Sequence, residues 1–185
     1  MKFLKLLFII FISLTTSIKA DLNKNLINHF EVGGKLIFIR HAYAPGSGDP
    51  SNFNLKDCHT QRNLDKKGKI QAKKIGEFLR KNKIEIEKVL SSEWCRCKDT
   101  ADLAFNSFTT KNFLNSFYSP QFAKNRVKQM RDLRKYVEEF KSDKNLVLVT
   151  HFVVISEALG YAPSSGEIVI SDKNFNKIDT VQINY

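Results

Sequence analysis

The chain has 185 residues, of which 42% are hydrophobic, and its 30 lysines and arginines against 19 acids give a formal net charge of +11. Such an excess fits nucleic acid, an anionic surface or an anionic substrate. The lysines of residues 66–83 and 124–144 are scattered among acids and lack the interleaved aromatic residues of a single-strand binder, so we expect no nucleic-acid partner.

Residues 1–20 are typical of a secretory signal peptide, because Lys2 and Lys5 precede an apolar run that ends in small and polar residues before Ala20. The run is about a dozen residues long, short of the roughly 18 that span a bilayer. A retained amphipathic anchor is the alternative, but the run has no polar face. We expect a periplasmic or secreted protein without stable membrane insertion, with one domain over residues 21–185 and a net charge of +8 once the segment's three lysines are removed.

An apolar stretch without alternation, residues 35–40, predicts a buried strand that ends at Arg40 and His41. The polar segment that follows, residues 43–63, contains two prolines and two glycines and predicts a long loop. Loops of that length in a compact domain are uncommon unless they are functional.

The rest of the chain alternates between helical and strand patterns. Helices are predicted over residues 68–82, 95–105, 125–140 and 153–159, the last stopped by Gly160. Strands are predicted over residues 88–91, 113–117, 145–150, 167–170 and 180–184. This alternation indicates an α/β fold, a three-layer α/β/α sandwich with a largely parallel central sheet.

Two of the four histidines, His41 and His151, directly follow predicted strands. Between them a third strand ends at Ser91 and Ser92, and the helix after it carries Arg96. Open α/β sheets bind ligands at the carboxyl ends of their strands, so these side chains indicate a phosphate site.

These segments resemble the histidine phosphatase superfamily, also called phosphoglycerate-mutase-like. The family's Arg-His-Gly/Ala is similar to residues 40–42, its Ser-Ser-x-x-x-Arg-x-x-x-Thr-Ala block to residues 91–101, and its late histidine to His151. Residues 64–72 look like its Leu-Thr-x-x-Gly-x-x-Gln-Ala helix entry. The resemblance covers residues 35–170 and implies a single histidine phosphatase-like domain with a phosphoglycerate-mutase-like fold. Together with the signal-like segment, it predicts a small exported branch of the family.

By matching position, the resemblance implies that His41 is the nucleophile that accepts the phosphoryl group. Arg40 and Arg96 would hold the phosphate, and His151 would donate to it. A neutral imidazole is a good nucleophile near pH 7, and guanidinium groups match phosphate oxygens in pairs. Taken singly, Arg40 is also consistent with a surface cation at a strand end, and Arg96 with an ordinary ion pair.

The chain departs from the family in its general acid. Many members carry Glu or Asp directly after the late histidine or in a Leu-x-Glu segment, whereas this chain has Phe152 and residues 114–116, Leu-Asn-Ser. Without an acid, a poor alkoxide leaving group loses about 10²- to 10⁴-fold in rate. The site either prefers good leaving groups, such as phosphoramidates or anhydrides, or takes its proton from Asp49.

Other polar residues are weaker candidates for the phosphate site. Arg62 either reaches a substrate phosphate or forms a surface ion pair, and the sequence favours neither. Residues 46–48, Gly-Ser-Gly, present backbone N–H groups to an anion or form a flexible turn, and the turn is favoured. Ser91 and Ser92 are expected to be turn and N-cap residues, and His29 and His59 to be incidental.

The three cysteines allow several arrangements. In an oxidising compartment Cys58 is expected to pair with Cys95 or Cys97, since a bridge between the latter two is strained. Three buried reduced thiols and a zinc site that adds His59 are the alternatives.

The sequence therefore predicts a metal-independent phosphohydrolase that needs no cofactor and acts through phosphohistidine. Its substrate would be a phosphorylated small molecule or a phosphorylated envelope component. The alternative is a phospho-ligand-binding module of the same fold without turnover.

Overall fold

Six strands form one sheet in the computed structural model, which describes Asn28 and residues 32–185. The sheet has the order β3-β2-β4-β1-β5-β6, with β1 Leu36–Arg40, β2 Ile86–Ser91, β3 Thr109–Thr110, β4 Asn145–Thr150, β5 Glu167–Ser171 and β6 Lys177–Gln182. The first four strands are parallel, and β5 and β6 run antiparallel to their neighbours. The predicted largely parallel sheet is confirmed. The proposed signal segment and His29 lie outside the described residues.

The helices are α1 Lys66–Lys81, α2 Cys95–Phe105, α3 Pro120–Ala123, α4 Arg126–Glu139 and α5 Phe152–Leu159, with 3₁₀ turns at Cys58–Thr60 and Asn112–Leu114. Helix α1 begins earlier than predicted because the Asp65 carboxylate caps it, accepting a hydrogen bond from the Gly68 N–H at 2.8 Å. Helix α5 ends at Gly160, whose left-handed backbone has the φ of 65° that favours glycine. In the described part of the chain, no helix has the length and apolarity needed to cross a membrane.

Both faces of the sheet are buried, which follows from the period of two along each strand. In β1, Ile37 and Ile39 belong to the core on the face covered by α1 and α2. Leu36 and Phe38 belong to the core on the opposite face, covered by α4 and α5. The result is the predicted three-layer sandwich, and its continuous apolar strands are explained by burial on both sides.

The strand predicted over residues 113–117 is wrong. This segment forms a 3₁₀ turn over Asn112–Leu114, and the edge strand β3 lies just before it. Phe113, Leu114 and Phe117 are all buried, so the segment fills the core between the sheet and α4 instead of alternating between two faces. It also brings Asn115 beside the end of β2.

A disulfide joins Cys58 to Cys95, and Cys97 is a free, buried thiol. The bridge ties the 3₁₀ turn of the long loop to the first residue of α2. It settles the partner of Cys58, and in the described structure neither the zinc site nor the three-thiol arrangement is formed. The Gln61 side chain strengthens the same junction by accepting a hydrogen bond from the Cys95 N–H at 2.9 Å.

Replacing Cys58 and Cys95 together by alanine is expected to lower the free energy of unfolding by about 3 to 4 kcal/mol, because the bridge closes a loop of 37 residues in the unfolded chain. Urea unfolding with and without reductant measures this. Reductant should destabilise the wild type and leave the double variant unchanged. Equal stability of both oxidised proteins would contradict the prediction.

Candidate active site

Three adjacent parallel strands, β2, β4 and β1, end at the same edge of the sheet, and each is followed by a site residue. The backbone ladder continues past the strands: the His41 N–H donates to Thr150 O and the Ser92 N–H to Val149 O, both at 2.9 Å. His41 and His151 therefore lie side by side, with ring centroids 5.4 Å apart and planes at 68°. Both are buried.

The His41 imidazole is held in one tautomer. Its Nδ1 lies 2.9 Å from Ala42 O, an acceptor only, so Nδ1 carries the hydrogen. Its Nε2 accepts a hydrogen bond from Arg96 Nε at 3.2 Å. Burial, and next the charge of Arg96, hold the His41 pKa well below its ordinary value, although the bond to Ala42 opposes them. Nε2 is thus an unprotonated nitrogen with an available electron pair near neutral pH.

Arg96, on the first turn of α2, connects His41 to the long loop. While Nε donates to His41, Nη1 and Nη2 donate to the two carboxylate oxygens of Asp49 at 2.7 Å and 3.2 Å. The resemblance implies that this guanidinium holds phosphate with two nitrogens. In the structure Asp49 takes that pair of donors, and Nε is the one that faces the nucleophile.

Asp49 has further donors in the Arg62 N–H and the Trp94 indole N–H, each at 3.1 Å. Burial alone would raise its pKa, but the hydrogen bonds and charge of Arg96, with these two N–H groups, outweigh it and lower the pKa. An ionised carboxylate has no proton to give. This arrangement argues against the hypothesis that Asp49 supplies the proton for the leaving group.

Asp49→Asn is expected to reduce the acid sensitivity of the fold. Because the folded pKa of Asp49 lies below the unfolded value near 3.9, its carboxylate adds stability that is fully present above that pH and is lost as the pH falls through the folded pKa. Thermal unfolding across the acid range should show the difference between wild type and variant shrinking as pH falls. Asp143→Asn, at an exposed position, is the control. A constant difference between wild type and Asp49→Asn would refute the expectation.

Arg62 and Arg40 flank the same cavity. Arg62 donates to two carbonyls of the long loop, Ala44 O and Gly48 O, so it shapes the loop that carries Asp49. Arg40 donates through Nη1 to Pro163 O at 2.8 Å, and its guanidinium lies 5.3 Å from the Phe152 ring centroid. Its Nε is buried and has no hydrogen-bond partner among the described residues.

His151 contacts Ser92 and Cys97. Its Nε2 lies 2.9 Å from Ser92 Oγ and 3.5 Å from Cys97 Sγ. Burial and then Arg96 hold the His151 pKa well below its ordinary value. Burial also raises the pKa of the Cys97 thiol to about 12, which makes it unreactive.

Some site residues were not anticipated. Ser92 was expected to serve as a turn or N-cap residue. The N-cap of α2 is instead Trp94, and Ser92 Oγ meets His151. No sequence pattern marks Trp94 or Asn115 as a site residue, although Asn115 lies in the segment where the family places an acid.

These side chains surround a cavity of about 210 Å³. Three guanidiniums and two imidazoles line it, and Asp49 is the only carboxylate among the described lining residues. Loop glycines, serines and aromatic side chains complete the wall: Gly46, Ser47, Gly48, Trp94, Ser116, Tyr118, Ser119, Phe122 and Phe152. Within residues 32–185, no group of three or more His, Cys, Asp or Glu side chains is placed to hold a metal ion. The cavity is suited to a small tetrahedral anion.

The sheet order, the helical layers and the site at the strand ends define a phosphoglycerate-mutase-like α/β protein. Residues 36–112 match the sequence model of the histidine phosphatase superfamily, branch 1. No curated protein matches the sequence. This match agrees with the resemblance found in the sequence and extends over strands β1 to β3 and helices α1 and α2, no further than residue 112.

Solved structures with low sequence identity share this fold. Phosphoglycerate mutase from Thermus thermophilus is 18% identical with a TM-score of 0.57, covering 81% of this chain and 99% of its own. The protein histidine phosphatase SixA, complexed with tungstate, is 17% identical with a TM-score of 0.53, covering 81% and 96%. The Mycobacterium tuberculosis open reading frame Rv3214 is 15% identical with a TM-score of 0.56, covering 81% and 96%.

Proposed function

We propose that the protein is a phosphohydrolase that transfers a phosphoryl group to His41 and then to water. The observation that carries this proposal is His41 Nε2, an unprotonated nitrogen in a cavity with three guanidiniums. Phosphoryl transfer needs an aligned nucleophile and positive charge around the equatorial oxygens, and both are available here. The positive charge comes from arginines, so the proposal needs no metal or other cofactor.

In the first step the Nε2 electron pair forms a bond to phosphorus while the bond to the leaving group breaks and its electron pair departs with that group. Arg96 Nε, which donates to Nε2 in the structure, then donates to a phosphate oxygen instead. In the second step water attacks phosphorus, the P–N bond breaks, its electron pair returns to Nε2, and the released proton goes to solvent. Inorganic phosphate is the product.

The leaving group distinguishes the substrates that this site can cleave. The cavity's carboxylate is ionised and bound to Arg96, so an alkoxide would depart without a carboxylic acid to protonate it. The leaving groups of phosphoramidates, anhydrides and aryl esters depart with less assistance. We therefore favour phosphoramidates, and phosphohistidine among them, over alkyl phosphate esters. The likeness to a structure described as a protein histidine phosphatase is consistent with this preference.

The signal-like segment leads us to place this activity in the periplasm or outside the cell, in a small exported branch of the superfamily. The substrate there would be a phosphorylated small molecule or a phosphorylated envelope component. The scattered lysines still argue against nucleic acid.

The test compares phosphohistidine, p-nitrophenyl phosphate and glycerol phosphate, each with EDTA present. Hydrolysis of the first two is expected to exceed that of the alkyl ester by about 10²-fold or more. Equal rates for all three would refute the leaving-group argument. Tight phosphate binding without turnover of any of them would instead support a phospho-ligand-binding module, which the Asp49–Arg96 pair also permits.

A further inference from the structure

A hydrogen-bond chain behind His151 runs through Ser92 and Asn115 to Glu93, and its directions can be worked out. The Asn115 amide is fixed because its Oδ1 accepts from the Glu93 N–H at 2.9 Å and its Nδ2 donates to Glu93 Oε2 at 2.6 Å. If the amide were rotated by 180°, its NH₂ group would face the Glu93 N–H and its oxygen would face the Glu93 carboxylate, and neither contact is a hydrogen bond. Asn115 Oδ1 is therefore an acceptor.

Ser92 Oγ lies 3.0 Å from that oxygen and has a single hydrogen, so the hydrogen points to Asn115. Ser92 Oγ can then only accept from its other neighbours. These neighbours include the Trp94 N–H at 3.3 Å and His151 Nε2 at 2.9 Å. Nε2 of His151 therefore carries a hydrogen, and Nδ1 of the neutral ring is unprotonated.

The two histidines of the site are thus opposite tautomers. His41 has its hydrogen on Nδ1 and His151 has its hydrogen on Nε2. Within the described residues Nδ1 of His151 has no hydrogen-bond partner, and the side chain lines the cavity, so Nδ1 is the atom with which His151 can meet a ligand. A bare nitrogen repels an anionic oxygen, and only a protonated Nδ1 can donate to it.

We propose that a phosphate-like dianion binds together with one proton, which is taken up on His151 Nδ1, and that Asn115 enforces this through Ser92. This inference rests on the proposed phosphate site and adds how that site is regulated by pH. Asn115 is in this account a positioning residue, because it acts through Ser92 and touches no reacting atom.

The charged groups around His151 explain why the proton enters only with the anion. The ring is buried, and Arg96 from α2, Arg40 from the end of β1 and Arg62 from the long loop all oppose a positive imidazole. His41, which also faces the ring, is neutral. Asp49, which is bound to Arg96, offsets part of this positive charge. The neighbouring Cys97 thiol remains uncharged. A bound dianion adds two negative charges, which cancel the excess positive charge and attract a proton to the ring, so binding strengthens as the pH falls.

Tungstate is a suitable probe, since it is a tetrahedral dianion that carries no proton in the neutral range. Calorimetric titration in buffers of different ionisation enthalpy is expected to show uptake of about one proton per tungstate bound below the pKa of the complex. The affinity there should rise about tenfold for each unit by which the pH falls. No proton uptake and a flat affinity would overturn the proposal.

Asn115→Leu separates this proposal from a general electrostatic effect. Without its acceptor, the Ser92 hydroxyl can donate to His151 Nε2, so the neutral ring can hold its hydrogen on Nδ1 and bind the anion unaided. Proton uptake should then fall to nearly none, and the affinity should lose its pH dependence. Asn112→Leu, at an exposed position on the 3₁₀ turn that precedes Asn115, should behave like the wild type. An unchanged pH dependence in Asn115→Leu would refute the mechanism.

Nitrogen NMR on the wild type keeps the proposal testable if Asn115→Leu fails to fold. The free protein should show His151 with a protonated Nε2 and a bare Nδ1, and the tungstate complex should show both nitrogens protonated. A proton on Nδ1 in the free neutral ring would overturn the proposal. So would loss of proton uptake in His41→Ala, which would place the proton on His41.

None of these measurements depends on turnover, so a protein that binds tungstate with a proton and hydrolyses nothing would refute only the proposed function.

Discussion

His41→Ala is expected to lower kcat for p-nitrophenyl phosphate by about 10³-fold or more, because it removes the nitrogen that forms the bond to phosphorus. The remaining arginines can still bind the anion, so KM should change much less than kcat. Initial rates over a range of substrate concentrations measure both parameters. His41 is buried, so tungstate binding by the variant should be checked to show that the site is still assembled.

His59→Ala is the matched control, since His59 is an exposed histidine in the 3₁₀ turn of the long loop. It should hydrolyse the substrate at the wild-type rate. If His41→Ala retained most of the activity while His59→Ala lost it, the nucleophile would lie elsewhere. Equal loss in both variants would indicate a general effect of histidine removal rather than chemistry at His41.

Arg96→Lys is expected to lower kcat/KM by about 10²-fold or more, even though the positive charge is kept. Arg96 serves two partners at once, with Nε on His41 and its terminal nitrogens on Asp49. A lysine ammonium is a single point of charge and cannot hold both geometries. Steady-state rates with p-nitrophenyl phosphate measure the loss.

Arg131→Lys makes the same change at an exposed position on α4 and should leave the rate unchanged. Near wild-type activity in Arg96→Lys would show that charge alone is enough at this position. The fixed arrangement of Arg96 between Asp49 and His41 would then have no role in the reaction.

The features that local pattern determines were predicted from the sequence. Strands β1 and β4 are apolar at nearly every position because both faces of the sheet are covered, and each is followed by a histidine. Parallel neighbours end at the same edge, so the proximity of His41 and His151 follows once the strand order is known. Helix α2, residues 95–105, was predicted with its observed bounds.

The features that depend on distant contacts were not predicted. Asp49 meets Arg96 only because the loop that carries it is tied to Arg62 and to the disulfide, across sequence separations that no local pattern reports. Residues 113–117 have the composition of a strand, but their buried side chains fill the core as a 3₁₀ turn. The tautomer of His151 depends on Asn115, which lies 23 residues from Ser92.

Trapping the intermediate tests the central claim most directly. The wild type is mixed with p-nitrophenyl phosphate, quenched within the first turnover under alkaline conditions that preserve phosphohistidine, and mapped by mass spectrometry. The account predicts one phosphoryl group on His41, absent in His41→Ala. Turnover at the wild-type rate with no phosphoryl group on His41, or with the group on another residue, would contradict it.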